Sequence, residues 1–514
     1  MSKLFAVNSP DLSPELLLHC KKYEIVHIPT ATELLKRLYR DRLSDANNFE
    51  RDFSVVVYQE PSSAASSLDH PESLDNISAA ALSELVQKQF LCFSLSVTTP
   101  SDALKAVQHL NALQPSYSTR LTRVASWMYN DCKYEDQDNQ CANTNDHHSH
   151  RHNQDHSEHP SSTCSANVYT MLAHLTEVRA RSRAQPRKRY YSLICPAIDL
   201  RKLIYIPPGN SDQYYWDLVS TWNFCAISLS TSELVWCSFL VLKKLASDAK
   251  FKIADNQLFL LLLTLETSYH QGNKFHNFRH AVDVMQATWQ LCQKLKAYIK
   301  DNSFTLLVCL AALGHDVGHP GTNNALMCDP LSPVAQIYHK QSVLERFHAE
   351  IFCDILMDHW PEALDNQTVI PDTIRATDMA LHSQYVDLMS SSLSEQQTIF
   401  SLVIKAADIS NVTRPLHIST KWAVLITCEF NECTALQRLL QGDENLETYI
   451  PESDEPLPDS LEDILTKYPS IPKGQLFFIN AFAERLFAGL AECFEELGFL
   501  LQNVEANKKF WESR

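Results

Sequence analysis

The sequence predicts a mainly α-helical protein in which a multi-helix C-terminal domain follows a smaller α/β domain. Short β-type runs alternate with helical stretches up to about residue 133, and apolar residues recur at helical spacing after about residue 216. A polar segment separates the two regions. The expected division is therefore an N-terminal domain at residues 1–133, a linker at 134–189 and the helical domain at 190–514.

The N-terminal region alternates β-type runs with helical stretches, which predicts a small parallel sheet. It contains no Gly-rich phosphate-binding loop, so the sequence leaves its role unassigned, and contacts with protein partners are one expectation for it. The β-type runs are LFAV from Leu4, EIVHI from Glu24, FSVVVY from Phe53 and LCFSLSV from Leu91, and the helical stretches are residues 32–43 and 79–89.

The linker is polar and nearly free of large apolar side chains, so it cannot offset the entropy lost on ordering. A disordered tract is the simpler interpretation, and metal binding by its six histidines is the alternative. The basic stretch RARSRAQPRKR at residues 179–189 is interpreted as a solvated linker, with a nuclear-import patch or kinase-directed phosphorylation of Ser182 as alternatives. The histidines are His147, His148, His150, His152, His156 and His159.

Composition predicts a globular protein, with 45% hydrophobic and 20% charged residues. The net charge of −17 argues against a nucleic-acid binder, although a small anionic substrate remains possible where a bound metal supplies local positive charge. The 15 cysteines form no CxxC pair, and the longest apolar runs are too short to span a bilayer. We therefore expect a cytoplasmic protein without membrane association, with a nuclear pool as an addition.

The C-terminal region carries the periodicity of amphipathic helices. Apolar positions recur at spacings of three and four through residues 234–245, 258–265, 282–295, 306–313, 400–407 and 481–499.

The segment FHNFRHAVDV places His276, His280 and Asp283 four and seven residues apart. On a helix these three side chains would project from one face, so two imidazoles and a carboxylate would converge. Imidazole suits Zn²⁺ and similar ions, and a ligating histidine needs an acceptor that fixes its tautomer, a role open to Asp283. A pair of histidines on a packed helix face is the alternative interpretation.

Two further segments end apolar helical runs with potential ligands. The segment LAALGHDVGHPGTNN presents His315, Asp316 and His319 before Pro320, which disfavours helix at the preceding residue. The segment KAADISNVTRP presents Asp408, whose burial would be costly without a partner. Capping or packing explains either segment alone, but three such segments in one helical domain indicate a metal centre.

Taken together, these motifs resemble the class I cyclic nucleotide phosphodiesterases, including the fungal high-affinity cAMP enzymes. The family pattern HNxxHxxDV, HDxxHPGxxN, SVLE, ATDM and ADxSN stands in this order at residues 276–284, 315–324, 342–345, 376–379 and 407–411. The resemblance implies an HD-type phosphodiesterase fold for the C-terminal domain and hydrolysis of cAMP to 5′-AMP. Phe275, Arg346 and Phe347 depart from the usual family residues, which affects the fine geometry of the pocket.

The resemblance also implies roles for individual residues. Zn²⁺ would be held at a first site, and Asp316 would bridge to a second ion, Mg²⁺ or Mn²⁺. The activated hydroxide would attack phosphorus while His276 protonates the leaving 3′ oxygen, and Glu345 would keep His276 protonated. The expected first-site ligands are His280, His315, Asp316 and Asp408, and the residues expected around the metal-bound waters are His319, Glu345 and Thr377.

Substrate recognition is implied in the same way. Gln475 aligns with the purine-binding glutamine, Phe478 and Ile426 with the two apolar plates that clamp the base, and Asn411 with a position typical of cAMP-selective members. Since a carboxamide can rotate, Gln475 alone does not separate cAMP from cGMP, and a dual phosphodiesterase stays open. A different HD-type nucleotide phosphohydrolase and a non-enzymatic cyclic nucleotide sensor are two competing interpretations of the same motifs.

Overall fold

The structure is a computed structural model that describes residues 3–8, 12–44, 54–59, 73–90, 94–97, 103–105, 107–108, 111, 190–299, 301–328, 333–365, 368–393, 395–440, 457–458 and 460–514. The predicted linker, with its histidines, its basic stretch and Ser182, lies outside these residues. The domain boundaries proposed from the sequence therefore stay predictions.

The N-terminal region contains a four-stranded parallel sheet with the order β2-β1-β3-β4. Its strands are β1 (Lys3–Val7), β2 (Glu24–Ile28), β3 (Ser54–Tyr58) and β4 (Ser94–Val97), and its helices are α1 (Pro14–His19), α2 (Ala31–Leu43) and α3 (Ala79–Gln89). In the central pairings, Lys3 is aligned with Glu24 on one side and with Ser54 on the other. The predicted α/β domain with a parallel sheet is thus confirmed.

Strand β1 is buried on both faces of this sheet. Phe5 and Val7 belong to the large hydrophobic core, whereas Leu4 and Ala6 pack with Leu16 in a second, smaller cluster. Successive side chains of a strand point to opposite faces. A continuous apolar run such as LFAV is therefore what a parallel strand covered on both faces requires.

The C-terminal region is helical, as predicted. Its helices are α4 (Tyr191–Ala197), α5 (Asp212–Val219), α6 (Thr231–Asp248), α7 (Asp255–Ser268), α8 (Phe278–Lys294), α9 (Asn302–Gly314), α10 (Asn324–Met327), α11 (Pro333–Ile337), α12 (Val343–His359), α13 (Val369–Arg375), α14 (His382–Leu388), α15 (Gln396–Asp408), α16 (Leu416–Leu440), α17 (Leu461–Lys467), α18 (Ile471–Phe478), α19 (Glu484–Cys493) and α20 (Gly498–Glu512). Within the parts of the chain just given, no helix combines the length and apolar character needed to cross a bilayer.

One of the apolar patterns that predicted a helix is interrupted in the structure. The sequence carries helical spacing through residues 481–499, but a π-helical turn occupies Ile479–Ala483 and Phe494 takes an extended conformation between α19 and α20. Leu490 of α19 and Leu500 of α20 are both buried because each helix packs its own apolar face on the core. Spacing alone does not detect such a break, since the pattern of buried residues continues across it.

Helix ends place the candidate ligands. Helix α8 begins at Phe278 because the side chain of Asn277 accepts a hydrogen bond from the Arg279 N–H at 2.9 Å. Helix α9 ends at Gly314, immediately before His315, and α15 ends at Asp408. Side chains at these ends can turn toward a common centre, which a regular helix would not allow for adjacent residues.

Gly314 permits a close approach of two helices next to the candidate site. A Cβ atom at this position would lie 2.3 Å from the ring of Phe352 on α12. Real carbon atoms do not approach so closely, so only glycine lets the ring pack against the last turn of α9. This contact fixes the helix end that carries His315.

The N-terminal and helical regions share one core. Leu38 of α2 and Leu263 of α7 belong to the same cluster of buried residues. At the boundary, the Oε1 atom of the buried Gln89 accepts hydrogen bonds from Tyr39 Oη at 3.1 Å and Thr264 Oγ1 at 2.7 Å. The two regions are therefore joined by both apolar burial and satisfied buried polar groups.

Candidate metal centre and active site

Four potential ligands from three distant segments meet at one point. His280 comes from α8, His315 and Asp316 follow α9, and Asp408 ends α15. The Nε2 atom of His315 lies 2.9 Å from Asp316 Oδ2 and 3.3 Å from Asp408 Oδ1. The Nε2 atom of His280 lies 3.1 Å from Asp408 Oδ1 and 3.7 Å from Asp316 Oδ2. One ligand atom from each residue falls within 4.8 Å of all the others.

The chemistry of this set fits a divalent cation. The Nδ1 atom of His315 lies 2.8 Å from the Ala312 carbonyl, which can only accept, so Nδ1 carries the proton of the neutral ring. The buried Nε2 atom then directs a lone pair at two carboxylates, an arrangement that is repulsive unless a positive charge lies between them. Two imidazoles and two carboxylates are a donor set typical of zinc.

The pKa values around the centre also show that the site favours a positive charge beside its carboxylates. Burial alone would lower the pKa of His315, but the neighbouring charge of Asp316 raises it well above its usual range. Burial alone would raise the pKa of Asp408, but the adjacent imidazoles of His280 and His315 hold it well below its usual range. Burial would likewise raise the pKa of Asp316, but the charge of His315 holds it well below its usual range. Both carboxylates are thus held ionised, as ligands to a cation must be.

A second pair stands beside this centre. The Nδ1 atom of His276 contacts Oε1 of Glu429, and Glu429 Oε2 accepts hydrogen bonds from the backbone N–H groups of Phe275 at 2.8 Å and His276 at 3.0 Å. Burial lowers the pKa of His276, but the charge of Glu429 outweighs burial and raises it to about 9. The imidazolium is therefore the stable form near neutral pH. Its ring stacks on that of His319, with 4.1 Å between the centroids.

Two predictions about His276 are wrong. His276 precedes the Asn277 cap, so it does not share a helical face with His280 and Asp283. Its carboxylate partner is Glu429 and not Glu345, which instead accepts hydrogen bonds from Asn324 Nδ2 at 3.0 and 2.9 Å. Burial raises the pKa of Glu345 to about 7.

Glu429 was missed because it lies 153 residues from its partner. A signal for it does exist in the sequence. Glu429 stands seven residues after the buried Trp422 and three after Ile426, so it occupies the inward face of α16. An acidic residue on the buried face of a helix requires a partner.

Asp283 contacts an arginine in the structure and not the ligating histidine for which it was the predicted acceptor. It is buried, and its Oδ1 atom lies 3.3 Å from Nη2 of Arg414, while no hydrogen bond joins it to His280 in the described parts of the chain. Arg414 also donates to Gln286 Oε1 at 2.8 Å. This pair connects α8 to the segment that follows Asp408, and so fixes one ligand-bearing helix against another.

Further histidines surround the carboxylate of Asp316. The Nδ1 atom of His348 donates to the Val317 carbonyl at 2.8 Å, and its Nε2 atom lies 3.8 Å from Asp316 Oδ1. His319 Nδ1 accepts from the Gly321 N–H at 3.0 Å. Asp316, His319 and His348 also form a cluster with metal-ligand spacing. His348 was not among the predicted site residues, although it belongs to the altered stretch after the SVLE motif.

The remaining predicted residues lie on neighbouring elements. Thr377 Oγ1 donates to the Ile374 carbonyl at 2.8 Å, at the end of α13. Asn411 is half-buried in a single 3₁₀ turn, Ser410–Thr413, directly after Asp408. The structure therefore carries Asn411 on the same segment as a metal ligand.

The predicted purine-binding residues lie on two packed helices, α16 and α18. Gln475 of α18 is only 6% exposed, and its Oε1 atom has no hydrogen-bond partner among the described residues. Phe478 is half-buried, with its ring centroid 5.5 Å from that of Phe482, and Ile426 of α16 is also half-buried. A buried acceptor without a donor is costly, and a ligand that donates a hydrogen bond would relieve that cost.

Comparisons with known proteins identify the same chemistry. The profile of the 3′5′-cyclic nucleotide phosphodiesterase family matches residues 275–504. The chain is 41% identical over 544 aligned positions to 3′,5′-cyclic-nucleotide phosphodiesterase 2 of Saccharomyces cerevisiae, and the match covers 99% of both proteins. The similarity to this relative therefore includes the N-terminal region.

Solved structures give the same result for the fold. The crystal structure of yeast caPDE2 matches with a TM-score of 0.80 at 27% identity and covers 100% of each chain. The phosphodiesterase domain of a RhoPDE fusion protein from the choanoflagellate Salpingoeca rosetta matches with a TM-score of 0.50 at 26% identity. That domain is 98% covered but corresponds to only 61% of this chain.

Proposed function

Because this chain belongs to the 3′5′-cyclic nucleotide phosphodiesterase family, it is a phosphoric diester hydrolase, and we propose that its substrate is cAMP, which it converts to 5′-AMP. The observation that carries this proposal is the convergence of His280, His315, Asp316 and Asp408 within 4.8 Å. A site of this composition beside an imidazole–carboxylate pair suits metal-assisted hydrolysis of a phosphodiester.

The first metal would be Zn²⁺, held by these four residues, and the second would be Mg²⁺ or Mn²⁺, sharing Asp316. When bound, the ions supply Lewis-acid activation of the phosphate and a water of lowered pKa. Since Oδ2 of Asp316 faces the His315 imidazole and Oδ1 faces the side of His348, one carboxylate can serve both positions. His319, Thr377 and Glu345 would orient waters around the second ion.

His276 would act as the general acid. Because its Nδ1 atom contacts Glu429, the proton available to substrate is the one on Nε2. Transfer of that proton to the 3′ oxygen as the phosphorus–oxygen bond breaks avoids a high-energy alkoxide, an effect worth about 10²- to 10⁴-fold in rate. Glu429 would hold the ring charged and correctly oriented until the transfer.

Adenine would bind at Gln475, between Phe478 and Ile426. The unpartnered Oε1 atom of Gln475 would accept from the 6-amino group, and the amide nitrogen would donate to N7. Asn411, three residues after the metal ligand Asp408, would favour adenine over guanine. Apolar side chains on both faces of the ring would supply affinity through burial.

The decisive experiment compares hydrolysis of cAMP and cGMP by the full chain, before and after treatment with a chelator. We expect hydrolysis of cAMP to exceed that of cGMP, to stop on chelation and to return with Zn²⁺ plus Mg²⁺. Asp408→Ala should lose both metal and activity, whereas His276→Ala should keep its metal and lose about 10²- to 10⁴-fold in kcat. Equal metal loss in the two variants would contradict the roles assigned to Asp408 and His276. Equal rates on cAMP and cGMP would show that the protein is a dual phosphodiesterase and not one selective for cAMP.

Two competing functions are tested by the same preparation. An HD-type phosphohydrolase for non-cyclic nucleotides would leave Gln475 and Phe478 unexplained, and a panel of nucleotide substrates with Mg²⁺ would reveal it. A sensor without turnover would bind cAMP but release no 5′-AMP. Retention of every proposed ligand and of the His276–Glu429 pair argues against it.

We also propose a reducing, cytoplasmic environment. None of the eleven cysteines in the described parts of the chain forms a disulfide, which is typical of proteins in a reducing compartment. A nuclear pool would depend on the basic stretch at residues 179–189, and binding of protein partners would involve the N-terminal domain.

A further inference from the structure

Arg42, the penultimate residue of α2 in the N-terminal domain, reaches into the helical region. Its side chain is 1% exposed, as is that of its partner Glu266 near the end of α7. Arg42 Nε lies 3.1 and 3.0 Å from the two carboxylate oxygens of Glu266, and Nη2 donates to the carbonyls of Glu266 at 3.0 Å and Tyr269 at 2.6 Å. One guanidinium therefore neutralises a buried acid and also donates to two backbone carbonyls at the end of a helix.

The last three residues of α7 and the five residues that follow them lead to the segment that carries His276. We call these residues, 266–273, the connector. Their opposite side touches the candidate metal centre. Tyr269, fully buried, donates through Oη to the Leu313 carbonyl at 2.8 Å and accepts from the N–H of Asp316 at 3.4 Å. The backbone N–H of Gly318 donates to the Ser268 carbonyl at 2.9 Å.

The connector also holds the candidate acid. Asn273 is buried, and its Nδ2 atom donates to the carbonyls of His276 at 2.8 Å and His319 at 2.7 Å. The connector is thus bonded on one side to Arg42 and on the other to the backbone around Asp316, His276 and His319. Backbone groups held in this way fix the direction of the side chains they carry.

We propose that Arg42 is a positioning residue for the metal centre, so that the N-terminal domain completes the catalytic site by anchoring the connector. Arg42 touches neither substrate nor metal and acts through Tyr269 and the backbone of Asp316. The inference rests on the proposed metal assignment. It gives the N-terminal α/β domain, in which the sequence shows no catalytic motif, a defined role in the phosphodiesterase reaction.

Arginine is required for geometric reasons. The planar guanidinium serves the carboxylate of Glu266 and two backbone carbonyls at the same time. A lysine at this position would carry the same charge but would present a single ammonium group, which cannot occupy both donor positions. Arg42→Lys therefore separates loss of charge from loss of the forked contact.

The test measures Co²⁺ binding to the metal-free full chain by competition with a chromophoric chelator, together with the visible spectrum of the bound Co²⁺. The variants are Arg42→Met, Arg42→Lys and, as a control, Gln89→Ala, which removes a buried contact between the same two regions at Thr264 and one inside the N-terminal region at Tyr39. Thermal unfolding followed by circular dichroism establishes that each variant is folded at the assay temperature.

Arg42→Met is expected to weaken Co²⁺ binding by about 10- to 100-fold and to alter its spectrum, as loss of a supporting contact does at other metal sites. Arg42→Lys should fall between Arg42→Met and the wild type, and Gln89→Ala should stay within about twofold of the wild type. Equal weakening in Arg42→Met and Gln89→Ala would reduce Arg42 to a general stabiliser of the fold. If Arg42→Met does not fold, Arg42→Lys decides the test. The proposal is overturned if Arg42→Lys binds Co²⁺ with the affinity and the visible spectrum of the wild type.

The same measurements separate failure of the Arg42 proposal from failure of the proposed metal assignment. If the wild-type chain binds Co²⁺ no more tightly than Asp408→Ala, the metal assignment itself is wrong. If the wild type binds Co²⁺ through Asp408 but the Arg42 variants bind it equally well, the metal assignment stands and only the role of Arg42 is refuted.

Discussion

His276, whose side chain is 22% exposed, and the buried Glu429 form an ion pair, and burial shifts the pKa values of its two members in opposite directions. Burial by itself would raise the pKa of Glu429, but the charge of His276 lowers it to about 2, while Glu429 raises the pKa of His276 to about 9. The pair therefore stays charged across the physiological pH range. This is the state that the proposed proton transfer to the 3′ oxygen requires.

The pH dependence of kcat tests this pair. The active form of His276 is protonated, so activity is present below its pKa and declines as pH rises through it. Glu429→Gln removes the main group that raises this pKa and leaves burial, which lowers it, opposed only by the charges of Asp316 and Asp408. We expect the alkaline limb of the kcat profile to move to lower pH by about one unit or more.

Glu484→Gln is the matched control, because it makes the same chemical change in a pair with Lys508 at 2.9 Å. Its alkaline limb should coincide with that of the wild type. An unmoved limb in Glu429→Gln would mean that another group controls the protonation of His276.

Gln475 tests base recognition. Gln475→Ala removes the buried acceptor proposed for the 6-amino group of adenine, a contact formed in the ground state as well as in the transition state. We expect KM for cAMP to rise by about tenfold or more with little change in kcat. Gln257→Ala, which breaks a bond to the His359 carbonyl, should leave KM unchanged. A KM equal to that of the wild type in Gln475→Ala would remove this residue from the site.

Helices α8, α9 and α15 each contribute ligands at or near an end, so the packing of those ends determines the geometry of the centre. The last turn of α9 packs under the ring of Phe352 without space for a methyl group. Helix α15 ends directly before the turn that carries Asn411. The ligand set therefore depends on how helices terminate and not only on the amphipathic faces that bury them.

Gly314→Ala tests the importance of that packing. The added methyl group would overlap the Phe352 ring, so we expect loss of about 1–3 kcal/mol in the free energy of unfolding. Thermal or urea unfolding measures the change. Gly498→Ala is the control, because no atom lies within 4 Å of its Cβ position.

The double variant Gly314→Ala with Phe352→Leu provides a further check, since the smaller side chain makes room for the methyl group. Its stability should exceed that expected from adding the two single losses. Strictly additive losses would show that the two residues are not in contact.

In the described residues, the N-terminal domain and the helical domain share one large hydrophobic core. Buried residues of the sheet, of α2 and of α7 belong to a single cluster, and Arg42 and Gln89 add buried polar contacts at the boundary. An α/β domain attached by a flexible linker alone would bury no such shared surface.

Because of this shared core, we predict that the two domains unfold together. Differential scanning calorimetry of the full chain should show one transition whose calorimetric enthalpy is close to the van't Hoff enthalpy. Near-ultraviolet and far-ultraviolet circular dichroism should report the same midpoint. Two separated transitions would show that the N-terminal domain is an independent unit.

Much of the architecture follows from patterns that are local in the chain. Alternating strands and helices predicted the parallel sheet, and apolar spacing predicted α6, α7, α8, α9 and α15 and parts of α19 and α20. The resemblance carried by residues 276–284, 315–324 and 407–411 predicted that His280, His315, Asp316 and Asp408 would meet. These predictions succeed because side chains within four residues share a helical face and because whole motifs encode known arrangements.

The partners of individual buried charges could not be predicted in this way. The wrong assignment of Glu345 to His276, the true partner Glu429 and the contact of Arg42 with Glu266 all concern residues that are distant in the chain, separated by 153 positions in the second case and 224 in the third. Local spacing identifies which residues can ligate a metal and which faces are buried. The pairing of charges that are distant in the chain depends on how the helices pack. A buried charge pairs with the nearest group of opposite charge that the assembled core brings to it.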